Sequence, residues 1–71
     1  MSNSVYRVTE IIGTSTESWE AATRNGVETA AQTVRDLRIA EATRFDVTIA
    51  DGKIAEYRVR VGVSFKYESG D

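Results

Sequence analysis

The sequence predicts an α+β fold with the element order strand, helix, strand, strand. Three observations predict it: a β-branched and aromatic run near the start, apolar residues at helical spacing in the middle, and a long alternating pattern near the end. The 71 residues provide for one domain, which we take to span residues 1–71. A chain of this length buries only about 60% of its unfolded surface, so its own core is marginal.

The first two predicted elements meet at a glycine. Residues Val5–Ile12 form the first strand, and Gly13 is expected to end it. Two residues compete as the helix N-cap: Thr14, which has Glu17 at the spacing of a capping box, and Ser15.

The predicted helix runs from about Thr16 to Arg35 and presents one face of mostly small apolar residues. Glycine in a helix interior costs about 1 kcal/mol relative to alanine. Gly26 therefore indicates that another backbone approaches the helix closely, and we expect the helix to lie tightly on a sheet. Trp19 near the helix start is interpreted as a packing residue.

Two long strands are predicted on either side of Asp51-Gly52, which is a strong hairpin signal. A two-residue type I′ loop would place Ala50 opposite Lys53 and Asp46 opposite Tyr57. It would also leave several apolar residues on the face away from the helix, where only a partner could cover them; these are Leu37, Ile39, Phe45, Val47, Ile49 and Ile54. A type I turn with a G1 bulge would gather all the apolar residues on one face. The residues alone leave both registers open.

The composition excludes several classes of function. The chain has no histidine, cysteine or proline, which removes disulfides, thiol nucleophiles, zinc ribbons, iron–sulfur ligation and the usual general base. Nine basic residues are spread among eleven acidic ones, for a net charge of −2, which argues against a nucleic-acid partner. Association with other chains is the remaining way to stabilise so small a domain.

Targeting and membrane signals are also missing from the sequence. The start of the chain has no basic stretch followed by an apolar run, as a signal peptide would. No apolar stretch approaches the roughly 20 residues needed to span a bilayer. We therefore expect a cytoplasmic protein without a membrane partner.

The order and spacing of short motifs resemble the dodecin family, over roughly Tyr6 to Tyr67. The motifs lie before the helix, at the start of the hairpin, at its turn and near its end: Gly13-Thr14-Ser15, Leu37-Arg38, Asp51-Gly52-Lys53 and Val61-Gly62-Val63-Ser64-Phe65. The resemblance implies a three-stranded antiparallel sheet wrapped around one helix, with twelve copies forming a hollow shell. It also implies the two-residue register, with the outer hairpin face buried between subunits.

The resemblance identifies two positions that bind flavin in most dodecins. A tryptophan there stacks on the isoalloxazine, and a glutamine hydrogen-bonds its pyrimidine edge; the matching residues here are Ile39 and Arg58. Isoleucine has no π face, and arginine only donates hydrogen bonds. Asp46-Val47-Thr48 also replaces the Arg-Gly-His run of flavin-binding members. These departures argue against flavin as the ligand.

Other segments resemble the branch called calcium dodecins, to which calcium has been assigned as ligand; they are Ser18-Trp19-Glu20, Asp36-Leu37-Arg38-Ile39-Ala40, Asp46 and Val63-Ser64-Phe65-Lys66. Calcium takes six to eight oxygen ligands and needs neither histidine nor cysteine. Asp46 is our first candidate ligand and Glu41 the second. The other interpretation of Asp46 is a strand residue paired with an arginine.

Two arginines on the outer face, Arg58 and Arg60, are expected opposite Phe45 and Thr43 in the two-residue register. We interpret them as partners in ion pairs between subunits, the other interpretation being a surface for an anion such as phosphate. No base–nucleophile pair is visible. Asp46 and Glu56 are expected on opposite faces, a poor geometry for acid–base work, so we predict no enzymatic activity.

The sequence therefore predicts a homododecamer that stores or buffers a small ligand or ion, with calcium favoured over flavin. A flavin-storing dodecin and a purely structural assembly without a ligand are the alternatives. The identity of the ligand stays open.

Overall fold

The computed structural model describes residues 5–66, which form a strand, a helix and two further strands. These are β1 (Tyr6–Ser15), α1 (Trp19–Ala31), β2 (Leu37–Ala50) and β3 (Lys53–Lys66). The predicted α+β class and element order are confirmed. The strands form one antiparallel sheet in the order β1-β3-β2. We call the face covered by α1 the helix-side face and the opposite one the outer face.

The junction between β1 and α1 differs from the prediction. Gly13 does not end the strand, because β1 continues to Ser15 and Thr14 and Ser15 still pair with β3. Neither residue is therefore the N-cap. That role belongs to Ser18, whose hydroxyl oxygen accepts a hydrogen bond of 3.0 Å from the backbone N–H of Ala21.

The helix is shorter than predicted at both ends and spans 13 residues. Its last turn closes at Gln32, whose N–H bonds back to Thr29, and Asp36 then adopts a positive φ of 59°. That left-handed residue turns the chain into β2, so Val34 lies outside the helix. Within residues 5–66, no helix is long and apolar enough to cross a bilayer.

Gly13 and Gly26 set the distance between α1 and β1, and the sequence indicated this role for Gly26. A Cβ on Gly26 would lie 3.2 Å from the Cα of Gly13, and a Cβ on Gly13 would overlap the carbonyl oxygen of Ala22. The predicted close approach at Gly26 is confirmed. The helix packs on β1 and β3, where the fully buried residues meet: Ala22, Val59, Val61 and Val63.

The four-residue core leaves an open and elongated molecule. The radius of gyration is 14.9 Å, whereas a compact chain of this length has about 11 Å. The accessible surface is 5589 Å², against about 4,400 Å² for a globular monomer of this mass. Large apolar side chains remain exposed at several positions, among them Val8, Ile12, Ile39, Phe45, Ile49 and Ile54. The chain therefore presents a surface typical of a subunit.

The hairpin turn is the predicted two-residue loop. Asp51 and Gly52 both have positive φ values, 53° and 73°, as a type I′ turn requires. Ala50 lies opposite Lys53, as expected, and the G1-bulged register is wrong.

The register does not stay constant along the hairpin, however. It shifts between Thr48 and Ile49, where Ala55 of β3 has no partner, and again near Thr43 and Arg38. A shift of one residue changes which side chains share a face. Asp46 consequently lies opposite Arg58, and the predicted pairing of Asp46 with Tyr57 is wrong.

The same shifts correct the expected apolar patch on the outer face. Phe45 pairs with Val59 and therefore belongs to the helix-side face, as does Val47, which pairs with Tyr57. Leu37 packs against the core. Ile39, by contrast, stays on the outer face, where it is 63% exposed.

Candidate functional site

The four predicted site residues all lie on the outer face of the hairpin, but only two of them meet. Asp46 lies directly opposite Arg58, while Ile39 and Glu41 pair with Ser64 and Gly62 farther along the strands. Ile39 and Asp46 are seven residues apart on β2, which corresponds to about 20 Å. One chain therefore cannot bring Ile39 and Arg58 to the same small ligand.

Asp46 and Arg58 form a bidentate ion pair. The Nε of Arg58 donates to Oδ1 of Asp46 at 2.8 Å, and its Nη2 donates to Oδ2 at 3.2 Å. Hydrogen bonding to Arg58 lowers the pKa of the Asp46 carboxyl below its ordinary value, and the nearby guanidinium groups of Arg60 and Arg44 lower it further. The same hydrogen bond raises the pKa of Arg58. Both side chains are therefore held in their charged forms.

A tryptophan holds the backbone of Asp46 from the helix-side face. Trp19 donates a hydrogen bond of 3.1 Å from Nε1 to the carbonyl oxygen of Asp46. Its ring meets Tyr57 and Phe45 edge-on, with centroid distances of 5.1 and 6.0 Å. The interpretation of Trp19 as a packing residue is confirmed. The helix start is thereby tied to the segment of β2 that carries the ion pair.

Within the described part of the chain, acidic residues do not assemble into a cation site. Among residues 5–66, no three acidic side chains come together as metal ligands. Both oxygens of Asp46 already accept hydrogen bonds from Arg58, and Glu41 lies beyond their reach. Glu56 shares the outer face with Asp46, since it pairs with Thr48, so the expected placement on opposite faces is wrong. A calcium site built on Asp46 would need oxygen ligands beyond the acidic side chains of residues 5–66.

The sequence matches one known protein family over most of its length. The dodecin family model matches residues 5–68. The chain belongs to the dodecin family. This confirms the resemblance inferred from the sequence motifs and agrees with the three-stranded antiparallel sheet and single helix. Members of the family assemble as oligomers and bind small ligands.

Individual relatives of this dodecin cover nearly its whole length. Calcium dodecin from Mycobacterium tuberculosis is 41% identical over 63 residues, 89% of either chain. The dodecin of Thermus thermophilus is 36% identical over 64 residues, 90% of this chain and 93% of that one. The similarity is therefore not confined to a short motif.

Solved structures share the fold. Dodecin from Streptomyces coelicolor superposes with a TM-score of 0.89 at 41% identity, covering 99% of this chain and 100% of that one. The M. tuberculosis calcium dodecin, described as calcium-chelating with a novel calcium-binding site, gives a TM-score of 0.80 at 41% identity, with 94% and 96% coverage.

The ion pair of this dodecin predicts a specific response to acid. Because the pKa of Asp46 is lowered in the folded chain, its stabilisation is present above the ordinary carboxyl pKa and is lost as the pH falls through the lowered value. We expect Asp46→Asn to reduce Tm at pH 7 and to flatten the fall of Tm below about pH 4. Thermal melts across this pH range test it. Glu28→Gln on the exposed side of α1 is the control, and superimposable curves for Asp46→Asn and wild type would contradict the prediction.

Proposed function

We propose that this dodecin stores or buffers a small ion without chemical turnover, as a homododecamer, and that the ion is calcium rather than a stacked flavin. The observation that carries the choice against flavin is the bidentate pair of Arg58 and Asp46. Arg58 donates two hydrogen bonds to its own chain and provides no acceptor for a flavin edge. Ile39, at the stacking position, has no aromatic ring.

The open shape of the chain supports the assembly. The accessible surface of 5589 Å² is larger than a lone domain of this size normally has, and several large apolar side chains are exposed on it. Packing against further copies would cover Ile39 and the other exposed apolar residues. Twelve copies in a shell is the arrangement that the family resemblance implies.

The chemistry of the acidic side chains supports calcium. Carboxylate oxygens are hard ligands, and each oxygen of Asp46 has a second lone pair beyond the one that Arg58 uses. Glu41 is exposed and is the second candidate ligand. The relative named calcium dodecin, 41% identical to this chain, agrees with this choice.

A second candidate function is a structural assembly that holds no ion. It is favoured by the dispersal of the acids, since no three of them meet within residues 5–66. The guanidinium groups near Asp46 also oppose a cation there electrostatically.

Metal analysis and thermal melting distinguish these functions. We expect calcium in protein purified without chelator, and a Tm that falls after treatment with EDTA and recovers when calcium is added back. The recovery should be lost in Asp46→Asn and kept in Glu28→Gln. If the purified protein contains no calcium, and its Tm changes neither with EDTA nor with added calcium, the structural assembly is favoured. Quenching of riboflavin fluorescence at micromolar protein would favour flavin storage instead.

A further inference from the structure

Gly62 has no explanation within its own chain. It lies in the central strand β3, and a Cβ there would meet only Cγ1 of Val8 at 3.5 Å, an ordinary contact. Gly52 is explained by its positive φ and Gly13 by its contact with the helix, but Gly62 has neither. Glycine in a strand interior costs stability and often marks a place where another group approaches closely.

Two carboxylates flank Gly62 on the outer face. Glu10 of β1 and Glu41 of β2 both lie opposite Gly62 in the sheet. Because neighbouring strands are about 4.8 Å apart, these side chains leave the sheet about 10 Å from one another with bare backbone between them. We call Glu10, Gly62 and Glu41 the acidic row.

The next row along the strands carries the opposite charge. Arg44 lies directly opposite Arg60, and like charges in this arrangement destabilise a sheet. Among the residues that the structure describes, Asp46 and Arg58 form the one ion pair, so neither Arg44 nor Arg60 has a carboxylate partner there. We call Arg44 and Arg60 the basic row.

We infer that the outer faces of two copies pack together so that the basic row of each lies on the acidic row of the other. An axis of two-fold symmetry running across the strands, between the two rows, produces this pairing. An axis along the strands would instead superimpose like charges. In the inferred arrangement β2 lies on β2, which brings Glu41 to Arg44 of the second copy. Arg60 enters the space above Gly62 of the second copy, between two carboxylates.

The available area suits a second copy as the occupant. The chain exposes about 1,200 Å² more than a globular monomer of its mass, and a standard interface buries about 800 Å² on each side. Ile12 lies opposite Arg60, and Ile39 lies one row beyond Glu41; they are 48% and 63% exposed, and the inferred pairing would cover both. The inference rests on the proposed homododecamer and specifies one of its contacts. It gives Glu41 a role at the interface in place of the role of calcium ligand considered above.

A charge exchange between the rows tests the inference. We expect Glu41→Arg and Arg44→Glu each to lose the wild-type mass in size-exclusion chromatography with light scattering. The double variant E41R/R44E should regain it, because the exchanged charges again face each other. The control is E41R/R24E, which restores the net charge through an exposed residue of α1 and should stay dissociated. Failure of E41R/R44E to regain the mass, or single variants of wild-type mass, would overturn the inference.

A substitution of Gly62 provides an independent test of the inferred contact with Arg60 of a second copy. Gly62→Val should keep the far-UV circular dichroism of the fold, since valine suits a strand and its Cβ has room. The variant should lose the wild-type mass because Arg60 of a second copy can no longer enter. A folded variant of unchanged mass would overturn this contact.

The outcomes separate this interface from the proposed function. A wild-type protein that runs as a single chain would refute the homododecamer itself. A large wild-type assembly without rescue in the double variant would refute only the pairing of rows. If Arg44→Glu keeps the wild-type mass but loses binding of inorganic phosphate, the basic row is an anion site and the interface is overturned.

Discussion

Replacing Gly13 by alanine is expected to displace α1 from β1 and to lower the free energy of unfolding by about 2–4 kcal/mol. Any Cβ at this position overlaps the backbone carbonyl oxygen of Ala22, and a backbone atom cannot move aside as a flexible side chain can. Gly26 faces Gly13 across the same contact and has no side chain, so no smaller residue on the helix could make room for the added methyl group. Among residues 5–66 only four are buried in the core, so a displaced helix has few other buried contacts to compensate.

Urea denaturation followed by circular dichroism at 222 nm measures this loss. Ala50→Val is the control, because it also adds methyl groups to a strand but does so at an exposed position beside the hairpin turn. We expect the control to unfold near the wild-type midpoint. Equal midpoints for Gly13→Ala and wild type would show that the helix does not depend on this contact.

Replacing Ile39 by aspartate is expected to dissociate the assembly. Ile39 is 63% exposed on the outer face of a single chain, and the proposed homododecamer buries that face. Placing a charge in a buried apolar contact costs several kcal/mol per site, repeated in every subunit. Light scattering should then give a mass far below twelve times the 7.8 kDa of one chain.

Two variants control for general effects of this substitution. Ile39→Val keeps an apolar side chain and should retain the wild-type mass. Val5→Asp adds the same charge to a residue of similar exposure, 59%, located before β1. Dissociation by Ile39→Asp alone would support burial of this face. An Ile39→Asp protein with the wild-type mass would mean that the face is open to solvent in the assembly.

The hairpin shows which parts of the fold the sequence could predict. The turn depends on two adjacent residues that accept positive φ, so Asp51-Gly52 predicted it correctly. The bulges depend on which residue is left unpaired, and that choice follows from contacts across the sheet. A straight count of alternating positions therefore placed Phe45 and Val47 on the wrong face.

The candidate site was predicted as a set of residues but not as a geometry. Ile39 and Arg58 were identified through the family resemblance, and Asp46 through its acidic side chain. Their mutual positions depend on the register. Asp46 lies opposite Arg58 because Ala55 of β3 is left unpaired. The one signal for this in the sequence is charge: only the shifted register pairs an acid with a base at that point. Trp19 was correctly assigned to packing, although its partner Phe45 could not be identified without the bulge.

The unpaired Ala55 makes the two arms of the hairpin unequal in length. Between the turn and the ion pair, β3 carries one residue more than β2. Deleting Ala55 would remove the bulge and make the two arms equal in length, with Thr48 still opposite Glu56 and Asp46 still opposite Arg58. The bulge therefore absorbs the extra residue of β3, and the ion pair depends on that residue staying unpaired. If Ala55 were instead paired with Thr48, every later residue of β3 would move by one position, and Asp46 and Arg58 would lie on opposite faces.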